Sequence, residues 1–152
     1  MIGGPMTQAD QTSEAFVSSY LLYLLAASSD AASAQFHKIV RDKGLRVPEW
    51  RVIACLYDQD GLMTTKLADY ALMEQSRLTR ILDQMDQKGW VERRIDPEDR
   101  RRVRVHLTDT GKGLAKSLVE DAKIHEQKLL SILKDTDAAR LKPALQALLA
   151  HL

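Results

Sequence analysis

The chain has 152 residues, 45% hydrophobic and 28% charged, with 22 basic against 21 acidic residues and a formal charge of +1. This suits one packed domain, or a small domain with a dimerisation arm, and excludes both a disordered tail and a chain that attracts nucleic acid by net charge alone. No apolar run approaches the roughly 20 residues that span a bilayer, and a single cysteine, Cys55, rules out an intrachain disulfide and fits a reducing cytoplasm.

The opening Met1-Ile2-Gly3-Gly4-Pro5-Met6 lacks the basic and apolar regions of a signal peptide, and Met6 offers a second candidate start. Residues 1–12 read as a disordered N-terminus. Residues 13–46 read as an N-terminal arm built on one long helix over 14–43, with Phe16, Tyr20, Tyr23/Leu24 and Ala27 at helical spacing and Gly44 as its stop. Pro48 then opens a helix to Asp58, since a first turn tolerates the missing N–H. Asp60-Gly61 is a turn, and Thr64 or Thr65 is expected to cap a short helix ending at Tyr70, with Leu67, Ala68 and Ala71 buried.

Residues 76–88 form the next helix, stopped by Gly89. Leu78, Ile81, Leu82 and Met85 make its apolar stripe; Ser76, Arg77, Thr79, Arg80, Asp83 and Gln84 occupy the other side. The period then falls to two. Val91, Arg93 and Ile95 alternate with Glu92 and Arg94, and Val103, Val105 and Leu107 with Arg104 and His106, around the turn Asp96-Pro97-Glu98-Asp99, which predicts an antiparallel hairpin. Residues 88–104 hold seven basic and four acidic side chains, a local +3, consistent with a nucleic-acid footprint or with a merely solvated hairpin. Thr108 caps a long helix to about Lys134, with Leu114, Leu118, Ala122, His125, Leu129 and Ile132 along one side. Asp135-Thr136-Asp137 caps a last helix striped by Leu141, Leu145, Leu148 and Leu152, which needs a partner surface.

Helix, short helix, turn, half-polar helix, hairpin is the order of a winged helix-turn-helix, residues 47–107, between long helical segments at 13–46 and 108–152. The fold class is mainly α with a small β-hairpin. A helix buried on one side only leaves its polar face free for a major groove about 12 Å wide, and a basic hairpin beside it adds backbone grip.

From Pro48 to Gly113 the sequence resembles the MarR family of bacterial regulators. The match lies in Glu49-Trp50-Arg51-Val52-Ile53-Ala54, Leu67-Ala68, Ser76-Arg77-Leu78-Thr79-Arg80-Ile81-Leu82-Asp83 and Lys88-Gly89-Trp90-Val91-Glu92-Arg93. Its most specific part is Asp99-Arg100-Arg101 running through Val103, Val105 and Leu107-Thr108 to Gly111. The resemblance implies a homodimer built from the first and last helices, so that 13–46 and 108–152 are dimerisation helices, on a pseudo-palindromic double-stranded operator, acting as a repressor or less often an activator. It makes Arg101 the wing-tip arginine that enters the minor groove, held by Asp99, where a pre-fixed guanidinium loses less entropy. It also makes Ser76, Arg77, Thr79 and Arg80 the groove-facing start of the recognition helix, with Arg77 or Arg80 meeting a guanine edge.

Gln75 suits a base or a phosphate. Thr64, Thr65 and Lys66 sit where helix N–H groups and a cation favour phosphate. Arg94 and Arg102 read as backbone clamps or as solvated charges. Asp83 and Asp86 oppose phosphate; they lie toward the end of the helix expected to point away from DNA, or accept from cytosine.

The histidines His37, His106, His125 and His151 show no metal-ligand spacing, no cofactor motif is present, and no nucleophile, phosphate loop or carboxylate pair points to an enzyme. Cys55 reads as a buried, inert thiol; the redox-sensing branch of the family carries its cysteine in the first helix, which has none here. The resemblance further implies an effector pocket for small aromatic acids, for which Tyr20, Tyr23, His37, Trp50 and Arg51 can supply rings, a donor and a carboxylate partner, though these aromatics equally suit the packing of the helical junction. Two other readings stand beside the regulator: a winged helix that binds protein, against which Arg77, Arg80 and the Arg100–Arg102 run argue, and a metal-responsive sensor.

Overall fold

The computed structural model describes residues 15–152, so the expected disorder of residues 1–12 lies outside the described residues. The chain divides into two units, Met1–Gln35 and Phe36–Leu152. Among the described residues there are seven helices and three strands, a mainly helical fold with one small sheet.

In the first unit the expected single helix is broken. Helix α1 is Phe16–Ser19, Tyr20 is extended (φ −73°, ψ 122°), and α2 starts at Leu21 and runs to Asp42. The cause is local: Ser18 Oγ donates to Ala15 O at 2.9 Å and Ser19 Oγ to Phe16 O at 3.3 Å, serine hydroxyls competing for backbone carbonyls. The Tyr20 ring stacks on Phe16, 4.8 Å between centroids.

The second unit holds the core. Helix α3 is Val47–Asp58, β1 Leu62–Met63, α4 Thr64–Tyr70, α5 Gln75–Gln87, β2 Val91–Ile95, β3 Val103–Leu107, α6 Asp109–Leu130 and α7 Asp135–Ala150. Strands β2 and β3 pair antiparallel with Arg93 opposite Val105 and Arg94 opposite Arg104. A strand not expected from sequence, β1, adds to the other edge of β3, with Leu62 opposite Val105. Two residues are too short to show a period.

Phe36, Val40, Val52, Ile53 and Leu56 meet Leu67, Leu78, Leu82, Met85, Val91, Val105, Ala115 and Leu118 in one cluster. Deleting a side chain such as Leu78 from so close-packed a set costs about 2–5 kcal/mol.

Two caps differ from expectation. Helix α4 begins at Thr64 with Met63 as its N-cap, and α7 begins at Asp135 with Lys134 there, neither making a side-chain cap bond. Thr108 does cap α6, its Oγ1 accepting from Gly111 N at 3.1 Å. That helix stops at Leu130, four residues early, leaving Ile132 exposed outside it. At Gly111 a Cβ would collide with the Trp90 carbonyl oxygen, so α6 meets the link between α5 and β2 backbone to backbone.

One buried acid organises the domain. Glu49 is fully buried, and Lys88 Nζ at the end of α5 donates to it at 2.9 Å. The Arg46 backbone N–H, at 3.1 Å, and Arg46 Nε, at 3.0 Å, also donate to it. Burial alone would raise its pKa; hydrogen bonds from Lys88 and Arg46 more than offset that and hold the carboxyl below its ordinary range. Glu49 thereby ties the start of α3 to the end of α5.

Candidate nucleic-acid interface

Helix α5 is buried on one side only. Leu78, Ile81, Leu82 and Met85 enter the core, while Gln75, Ser76, Arg77, Thr79, Arg80, Asp83, Gln84, Asp86 and Gln87 are all exposed. The helix ends at Lys88, with Gly89 in the left-handed region at φ +74°. Among the described residues Arg77 and Arg80 find no ion-pair partner, and both are exposed. The Thr79 hydroxyl is partly committed, donating to Gln75 O at 3.0 Å. Thr65 and Lys66 are exposed in the first turn of α4.

The hairpin tip is organised by acids. Asp99 Oδ1 accepts from the Arg101 backbone N–H at 3.0 Å and from Arg101 Nε at 3.2 Å, and Asp99 Oδ2 lies 3.4 Å from Arg102 Nε. The Arg101 backbone hydrogen bond, then its side-chain bond, then the Arg102 charge hold the Asp99 carboxyl below the ordinary range, so it stays ionised. The Arg101 side chain nevertheless remains 90% exposed. Backbone and guanidinium are both braced on Asp99, with Nη2 also donating to Oδ2 at 3.5 Å, while most of the side chain stays in solvent.

Arg102 also reaches Met63 Sδ at 3.8 Å, beside Thr64 and Thr65, and these residues with Arg101 and Val103 line a cavity of about 320 Å³. Arg94 is spent on Glu92 of its own strand. Deeper in the hairpin, Asp96 is buried, with Arg104 Nε 3.3 Å from Oδ2, while Arg104 Nη1 donates to Gly61 O at 3.0 Å. Arg104 thus anchors the hairpin to the turn before β1.

The acids of α5 have a partner on the neighbouring strand. Arg93 on β2 reaches Asp83 at 2.6 Å and Asp86 at 3.4 Å. The signal was present. Arg93 shares the Val91 face of the strand, the face turned to α5, where a bare cation calls for acids three residues apart on the neighbouring helix.

The residues expected at an effector site fall in different units. Tyr20 and Tyr23 belong to the first and are exposed; His37, Trp50 and Arg51 belong to the second. The Trp50 ring meets Phe36 edge-on at 5.2 Å, a packing role, and also lines a groove of about 280 Å³ with Val119 and Ala122. Burial, then the charges of Arg51 and Arg41, push the His37 pKa down. His125 stacks on Phe36 at 5.7 Å. Cys55 is half-buried, its thiol pushed up by burial and by Asp58. Among the described residues no cluster of acids, histidines and cysteine is grouped to hold a metal ion, and no helix is long and apolar enough to cross a membrane.

The sequence model of the MarR family matches residues 45–103. The chain is similar to the MarR family transcriptional regulator SPO1453 from Silicibacter pomeroyi DSS-3, with 61% identity and a TM-score of 0.82 over 90% of this chain and 98% of that one. It is 26% identical over 117 residues to the HTH-type transcriptional regulator TtmR of Methylorubrum extorquens (strain PA1), covering 74% of this chain but only 60% of the length of that relative. The fold is also that of a mutant MarR from E.coli complexed with operator DNA, at 23% identity and a TM-score of 0.77 over 90% of this chain and 99% of that one.

Proposed function

This chain belongs to the MarR family of transcriptional regulators, and from that premise we propose that it binds double-stranded DNA as a cytoplasmic homodimer, most simply as a repressor on a pseudo-palindromic operator. It acts by binding and not as an enzyme. The observation that carries the reading is the one-sided burial of α5, with Arg77 and Arg80 unpaired on the open side, next to a hairpin whose Arg101 is 90% exposed and held at its base by Asp99. Helix and hairpin supply base readout in the major groove and a cation for the adjoining minor groove. Ser76, Thr79 and Gln75 serve the first role; Thr65, Lys66 and Arg102 contact phosphates. Arg94, already paired with Glu92, contributes weakly.

Dimerisation is supported by large apolar side chains left in solvent on each unit considered alone: Phe16, Val17, Leu21 and Leu22 on the first; Leu141, Leu145, Leu148 and Leu149 on the second. Operator half-sites then lie roughly one helical turn apart, about 34–36 Å. Release by a small aromatic carboxylate belongs to the same proposal, with Arg51 and His37 as the polar partners and Trp50 as a ring.

Selection of duplexes from a random pool, followed by anisotropy titration of the winner, tests the reading. Affinity should fall about 10³- to 10⁵-fold between about 50 and 200 mM salt if six to ten phosphates are neutralised. Failure to enrich any sequence, or a flat salt profile, favours the protein-binding winged helix instead. Sedimentation at micromolar concentration should give a dimer, and a monomer refutes that part. Aromatic carboxylates should weaken DNA binding and raise the melting temperature; a panel that does neither removes the effector.

A further inference from the structure

Asp83 sits in the middle of the open face of α5, seven residues after Ser76 and three after Arg80, and Asp86 follows one turn on. Both carboxylates are about half exposed, at 52% and 46%. A helix meant for the most negative surface in the cell therefore presents two acids on the side that would enter it. Among the described residues neither acid has any other cation within ion-pair distance: Arg77 and Arg80 remain free, and Arg93 alone reaches them, Nη1 to Asp83 at 2.6 Å and Nη2 to Asp86 at 3.4 Å. The two donor arms of one planar guanidinium divide between two acids one turn apart, a geometry that a lysine cannot copy.

We propose that Arg93 is a positioning residue whose task is to mask Asp83 and Asp86, so that α5 can approach phosphate; it does not itself touch the DNA. The inference rests on the DNA-binding reading above and deepens it. Arg93 lies on the α5-facing side of β2 and is two-thirds buried, while Arg77 and Arg80 on α5 and Arg101 at the hairpin tip stand out as the reaching cations. With Arg93 in place the three side chains sum to −1; without it the same surface carries −2, unpaired and turned toward phosphates. The repulsion acts at both copies of a dimer.

The test compares three variants with the natural chain on a duplex selected by the natural chain, each checked by thermal melt. Arg93→Met should weaken binding about tenfold. Arg93→Met combined with Asp83→Asn and Asp86→Asn should return to within about threefold of the natural chain, because nothing is left to mask. Asp83→Asn/Asp86→Asn with Arg93 retained should bind a random duplex more tightly and with a steeper salt slope. Should Arg93→Met not fold, this last variant decides, since masking requires its affinity to rise. Three results overturn the proposal: unchanged binding by Arg93→Met, a triple variant as weak as the single one (Arg93 then grips DNA directly or only braces the hairpin), or weaker random-duplex binding by the double asparagine variant. A natural chain that binds no duplex at all sinks the DNA-binding reading first, and is told apart because no variant comparison is then reached.

Discussion

Replacing Glu49 by Gln is the sharpest probe of how α5 is held. Glutamine keeps the volume, and its amide oxygen still accepts from the Arg46 backbone, so no cavity opens. What is lost is charge: the pairs to Lys88 Nζ and Arg46 Nε. A hydrogen bond to a charged group is worth about 1.5–3 kcal/mol. Here both cations are substantially exposed, 40% for Lys88 and 54% for Arg46, and regain water when released. Solvent screening therefore brings the pair down to about 1–2 kcal/mol, or about 2–8 °C in melting temperature for a domain of this size.

The pH dependence gives a second reading. The folded pKa of Glu49 lies below its unfolded value, so the stabilisation is complete above the unfolded carboxylate range and disappears as pH falls through the folded value. The gap in melting temperature between the natural chain and Glu49→Gln should be full at neutral pH and close in acid. Melts at fixed protein concentration, from neutral pH downward, measure it. A gap that is absent at neutral pH, or that persists in acid, refutes the claim that the ionised carboxylate bridges α3 and α5.

Other expectations follow from the same contacts. Arg101→Ala should cost roughly 1–3 kcal/mol in operator binding, read by anisotropy, and leave the melt nearly unchanged; unaltered affinity contradicts the minor-groove role. Asp99→Asn should weaken binding in the same direction, because the guanidinium loses its fixed root. Gly111→Ala should destabilise by about 1–3 kcal/mol through overpacking against the Trp90 carbonyl, seen as a lower denaturant midpoint. Leu78→Ala should cost about 2–5 kcal/mol in the same assay, and a loss under 1 kcal/mol would mean that α5 is not packed as described.

The parts legible in the sequence were those carried by a period or a terminator. The α5 stripe, the β2–β3 alternation and Gly89 each announce one local geometry, and Asp99 with Arg101 announces itself by adjacency. What escaped depends on partners distant in sequence. Glu49 meets Lys88 39 residues on, and Arg104 meets Gly61 43 residues back, pairs that no local pattern reveals. The break at Tyr20 escaped because Ser18 and Ser19 also fit a helix, and only their hydroxyl bonds to the preceding carbonyls decide otherwise. The expected threonine cap on α4 failed because both Thr64 and Thr65 lie inside the helix. Nothing in the period of α5 shows that Asp83 and Asp86 are paired; Arg93, which lies between them, comes from the following strand.

The glycine at position 111 has a mechanical consequence. Most helix contacts are cushioned by side chains that can hop rotamers and take up a small displacement. Where α6 crosses Trp90 there is no such cushion, only peptide against peptide, and Thr108 N and Oγ1 bond to the Trp90 and Gly89 carbonyls on either side. Any sliding of α6 must drag the end of α5 with it, a coupling without slack between the long helix and the one whose polar side stays open.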